Sequence, residues 1–130
     1  MNSGQKLNGI LARAREDTDI LGVLLFGSAA SQQETPKSDL DVCLVLFPQK
    51  YDSLTLSRKR LEYMKDFDLD VHIFQQLPLY ICRRVLKEGK ILFCRDEERL
   101  YSLAFQTARA FEDFKPIYRE YLAQVAHAGS

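Results

Sequence analysis

Two aspartates, Asp39 and Asp41, stand one residue apart among Leu40, Val42, Leu44, Val45 and Leu46. Along an extended strand both carboxylates leave the same face, with their backbones about 6.6 Å apart. Carboxylates so spaced can lean together and share a pair of hard cations about 3.5–4 Å apart, as two-metal phosphoryl transfer requires. Mg²⁺ suits such a site, because it takes oxygen ligands and is completed by substrate phosphates and water. An unpaired carboxylate inside a buried strand is costly. A solvated sheet edge would account for one acidic residue there, but less well for two on one face.

Gly27 and Ser28 end the preceding apolar run and complement the aspartates. Glycine lets backbone approach a phosphate closely and Ser28 offers a hydroxyl, while Ala29 to Gln33 could begin a helical turn whose free N–H groups meet an anion. A third carboxylate comes from Asp68-Leu69-Asp70-Val71-His72-Ile73-Phe74, whose strict alternation sends Leu69, Val71 and Ile73 one way and Asp68, Asp70 and His72 the other. Asp70 is the candidate and Asp68, on the same face, its rival. His72 reads as a hydrogen-bonded surface histidine, and Lys37 as a loop residue that aids solubility.

Other chemistries fail on spacing. Gly22 and Gly27 have P-loop spacing, but Ser28 stands where the lysine belongs and the intervening residues are apolar strand. Asp66, Asp68 and Asp70 start like a calcium loop, yet Val71 and Leu77 replace the glycine and the bidentate glutamate. There is no G-x-S-x-G elbow and no zinc-type spacing of Cys and His.

Elements must hold these residues in place. Leu7, Ile10, Leu11 and Ala14 predict a short amphipathic helix over 6–16. Ile20 to Phe26 and Leu40 to Phe47 read as strands covered on both faces. Between them and the alternating strand, Leu54, Leu61 and Met64 mark a helix over 53–65, capped by Asp52 or Ser53. A crossover of that length favours a parallel pair between the second and third strands, while the direction of the first stays open. Pro78 starts a helix to about Lys87 that Gly89 ends, and Ile91 to Phe93 add an edge strand. Residues 97–126 form a C-terminal helical segment with Leu100, Leu103, Ala104, Phe111 and Phe114 near one stripe, which Pro116 breaks or kinks. The fold class is α/β (α+β): a small mixed sheet of three to four strands with helices packed on it.

At 130 residues and 46% hydrophobic content, the chain is sized for a single domain, 1–130. Eighteen basic residues cancel eighteen acidic ones, which argues against nucleic-acid binding or an anionic membrane surface. Cys43, Cys82 and Cys94, odd in number and without C-x-x-C spacing, read as reduced thiols of a cytoplasmic protein. No apolar run approaches a membrane span, and no signal-peptide pattern is present.

Gly27-Ser28, ten residues, then Asp39-x-Asp41 in an apolar strand and Asp70 in a later one resemble the minimal nucleotidyltransferases of the DNA polymerase beta superfamily. The MntA-like antitoxins of MNT/HEPN toxin–antitoxin pairs are the closer resemblance, which extends to Leu77-Pro78 and Gly89-Lys90-Ile91-Leu92. The resemblance implies a polymerase-beta-like nucleotidyltransferase fold. It implies nucleotide binding by Gly27, Ser28 and Ser38, two Mg²⁺ ions on Asp39, Asp41 and Asp70, and catalysis by the same three aspartates, with Asp70 helping to deprotonate the attacking hydroxyl. ATP would be the substrate, AMP the group transferred, and a tyrosine of a HEPN-domain toxin the acceptor. In place of the basic residue and glycine that many relatives carry after Gly-Ser, this chain has Ala29-Ala30-Ser31-Gln32-Gln33. Two other functions are compatible with the residues: an antitoxin that acts by occlusion without catalysis, and a transferase acting on a small molecule or RNA. The apolar stripe of Phe114, Tyr118, Tyr121, Leu122 and Val125 would suit a partner surface or a homodimer contact.

Overall fold

The computed structural model describes residues 3–27 and 41–128, the side chains of Ser3, 114–122 and 124–128 aside. Ser28, the loop 29–33, Lys37, Ser38 and Asp39 therefore lie outside the described residues, as do the side chains of the C-terminal apolar stripe. In chain order the elements are α1 (Ser3–Glu16), β1 (Ile20–Phe26), β2 (Asp41–Leu46), α2 (Ser53–Phe67), β3 (Asp70–Ile73), a 3₁₀ turn (Phe74–Gln76), α3 (Leu79–Glu88), β4 (Lys90–Cys94) and α4 (Glu97–Ala128).

The strands form one mixed sheet in the order β3-β2-β1-β4. β2 and β3 run parallel, as the helical crossover between them predicts, with Asp41 opposite Asp70 and Leu44 opposite Ile73. β1 runs antiparallel to both β2 and the edge strand β4. Ile20, Val23 and Leu25 of β1, Val42, Leu44 and Leu46 of β2, and Val71 and Ile73 of β3 pack under Ile10 and Ala14 of α1 and Leu56 and Tyr63 of α2. Leu21, Leu24, Cys43 and Val45 face the other way, against Cys82 and Val85 of α3 and Leu100 of α4. A register shift between Ile20 and Gly22 resets the alternation of β1, so that both faces receive apolar residues.

Three expectations change. Leu54 and Leu61 are 60% and 61% exposed; the buried stripe of α2 is instead Leu56 and Tyr63, with Met64 and Phe67 partly covered. Tyr63 can be buried because its hydroxyl donates to Asp17 Oδ2 at 2.9 Å. Lys59 Nζ donates to the same oxygen at 2.8 Å. Burial raises the Asp17 pKa, but these two bonds and the Asp19 amide outweigh it and hold the carboxyl below its usual range. Second, Asp68 is not part of the strand: it caps α2 with a left-handed backbone, φ 50°, its N–H bonded to Met64 O. Third, α4 runs unbroken past Pro116 to Ala128. Among the described residues no helix is long and apolar enough to cross a membrane.

β3 is short and lies at the sheet edge, so side chains extend its attachment. Where the backbone pairing ends at Leu44 and Ile73, the Gln75 amide takes over: Nε2 donates to Leu46 O at 2.8 Å and Oε1 accepts from Leu46 N at 3.2 Å. Arg60 Nε donates to Val71 O at 2.8 Å from α2. Replacing Gln75 by Ala leaves two polar groups of a fully buried residue unpaired. Urea denaturation should show a loss of about 1–3 kcal/mol with an unchanged m-value; a loss below about 0.5 kcal/mol would show that the amide does not clip β3 to β2.

Candidate active site

The site forms where β1 ends and β2 and β3 begin. Parallel pairing sets Asp41 directly opposite Asp70 and places His72 one step further along, opposite Cys43. Asp41 and Cys43 share one face of β2, and Asp70 and His72 share the corresponding face of β3. That face is covered by α3 and α4 at Cys43 and Val45. Asp41, Asp70 and His72 remain only partly buried.

The three side chains converge. One ligand atom from each of Asp41, Asp70 and His72 lies within 4.8 Å of the other two, the one such group among the described residues. His72 Nε2 is 3.4 Å from Asp70 Oδ1 and 3.9 Å from Asp41 Oδ1. The first distance exceeds an ordinary N–H···O hydrogen bond. The Phe26 ring packs against the His72 ring in a T-shaped contact, centroids 5.5 Å apart, and so holds the imidazole in place.

Gly27 closes the arrangement from β1. Its φ is +84°, and a Cβ built there would lie 2.5 Å from Asp41 Oδ2. The positive-φ turn out of β1 favours glycine, and any side chain there would also have to displace the Asp41 carboxylate. Close approach of backbone was expected at this glycine; the neighbour it meets in the structure is Asp41.

Of the candidate residues, the structure brings together Gly27, Asp41 and Asp70. Asp68 is not with them, because its carboxylate, 92% exposed, pairs with Lys6 Nζ at 3.0 Å. His72 is the residue that sequence reasoning passed over. Alternation places it on the face of Asp70, but only the parallel register brings it near Asp41. A donor set of two carboxylates and an imidazole, half-open to solvent, has the chemistry to bind a divalent cation.

Residues 5–98 match the family model described as polymerase beta, nucleotidyltransferase. The chain belongs to this family. It is therefore a nucleotidyltransferase, and its mixed sheet, with four helices among the described residues, is the polymerase-beta-like nucleotidyltransferase fold. It is 32% identical over 101 residues to a Methanocaldococcus jannaschii protein provisionally named a protein adenylyltransferase, covering 78% of this chain and 77% of that one. Among solved structures, the fold is similar to a toxin–antitoxin structure with AMP-PNP: TM-score 0.71, 16% identity, 96% of this chain and 99% of the other. It is also similar to a structure of a tri-AMPylated Shewanella oneidensis HEPN toxin in complex with MNT antitoxin: TM-score 0.69, 17% identity, 95% and 98% covered.

In this nucleotidyltransferase, Gly27→Ala should cost about 1–2 kcal/mol from the left-handed backbone alone, read by urea denaturation. The conformational cost should be matched by Gly27→Ser. Equal stability of all three proteins would show that the turn does not need glycine.

Proposed function

We propose that this nucleotidyltransferase transfers AMP from ATP to a tyrosine hydroxyl of a HEPN-type toxin, and that it acts as the toxin's antitoxin. The observation that carries the reading is Asp41 opposite Asp70 beside Gly27, in a chain of this family. The provisional name of the M. jannaschii relative supports transfer to protein, and the AMPylated toxin in the S. oneidensis complex supports the acceptor.

In this reading Gly27, Ser28 and Ser38 hold the triphosphate, and Asp39, Asp41 and Asp70 hold two Mg²⁺ ions. Bound divalent ions supply positive charge to the phosphates as the leaving group develops. Asp70 accepts the proton of the attacking hydroxyl. The new bond joins the tyrosine oxygen to the α-phosphorus, the bond from that phosphorus to the bridging oxygen breaks, and pyrophosphate leaves with its electrons. The chain does not need a deep acceptor pocket, because the partner protein presents the hydroxyl.

A second reading, neutralisation by occlusion, is favoured by Tyr101 and Phe105, which are 75% and 69% exposed on α4. Incubation with α-labelled ATP, Mg²⁺ and the HEPN partner separates the two. The catalytic reading predicts label on a partner tyrosine, reduced about a hundredfold or more in Asp41→Asn and Asp70→Asn. An unlabelled partner that both variants still neutralise would establish occlusion instead.

A further inference from the structure

Mg²⁺ is the cation that paired carboxylates call for, yet the third group in this cluster is a nitrogen donor. His72 Nε2 is 3.4 Å from Asp70 Oδ1 and 3.9 Å from Asp41 Oδ1. Metal–ligand bonds of about 2.0–2.2 Å keep two ligands of one ion within about 4.4 Å of each other. Both His72 separations fall inside that limit, and the three ligand atoms together lie within 4.8 Å of one another. The Phe26 contact holds the ring in place, so the imidazole needs little ordering on binding.

We infer that His72 is a ligand of the divalent cation held by Asp41 and Asp70, and that it shifts the site's preference from Mg²⁺ towards first-row transition ions, of which Mn²⁺ is the spectroscopic probe. The inference rests on the nucleotidyltransferase site described above and extends it by one donor and one selectivity. Mg²⁺ holds its water shell tightly and favours oxygen ligands, so an imidazole adds little to its affinity. First-row transition ions accept nitrogen readily, and the same group strengthens their binding. The mixed set thus discriminates by ligand type, since all three groups are already placed by the β2–β3 register.

Mn²⁺ is itself the probe. The full chain, titrated with Mn²⁺ and followed by electron paramagnetic resonance, should bind the ion with a ¹⁴N modulation from one imidazole in the electron spin-echo envelope. The modulation should persist in His127→Gln, which removes the other histidine, and vanish in His72→Gln. Mn²⁺ affinity should fall about tenfold in His72→Gln. Mg²⁺ affinity, measured by competition, should change by less than about threefold. If His72→Gln does not fold, ¹⁵N-histidine labelling of the His127→Gln protein reads the same contact without disturbing residue 72. An Asp41-dependent Mn²⁺ signal without nitrogen modulation would overturn the inference and leave the nucleotidyltransferase site standing. Absence of any Asp41-dependent Mn²⁺ binding would overturn the inference as well, while the labelled-ATP transfer decides the nucleotidyltransferase site on its own.

Discussion

The register between β2 and β3 is the constraint on which the rest depends. Because the two strands run parallel with Asp41 opposite Asp70, two carboxylates from segments 29 residues apart meet at the sheet end. Two like charges held within 4.8 Å of each other repel, and more strongly the less water lies between them. A cation between them turns that repulsion into attraction. A slip of one residue would send one carboxylate to the face packed by α1 and α2, so the apolar alternation that builds the core also fixes the site.

That register is held from several directions. Val71 and Ile73 are locked under α2, the Gln75 amide continues the ladder past the last backbone pair, and Arg60 reaches from α2 to the Val71 carbonyl. Gly27 then brings the end of β1 against the Asp41 carboxylate, through a positive-φ turn that a side chain would strain. On the other side of the molecule, Arg95 donates to the Ala14, Arg15 and Ile20 carbonyls, tying the C-terminal end of α1 to the start of β1. A cation there also complements the helix dipole. The strand that leads into Gly27 is therefore anchored at the end opposite the site.

Much of this was legible in the residues. Apolar runs and breakers located the four strands to within a residue or two, and the crossover helix predicted the parallel pair. What pattern could not settle was orientation about an axis. On α2, Leu54 and Leu61 look like core, yet a tyrosine with a hydroxyl partner is buried in their place. Asp68 appeared to extend the alternation of β3, but its left-handed backbone ends α2 and turns its carboxylate to Lys6. Pro116 removes one helical hydrogen bond without ending a 32-residue helix. His72 was visible as a residue on the right face; its nearness to Asp41 is a property of strand pairing, which a single strand's sequence does not contain.

The proposed role of Asp41 and Asp70 is to bind a nucleotide through a divalent cation. Calorimetric titration of the protein with a non-hydrolysable ATP analogue tests it directly. Binding should be saturable, should require a divalent cation, and should be lost in Asp41→Asn while the fold is kept. Binding of equal strength with and without the cation, or in wild type and Asp41→Asn alike, would contradict it.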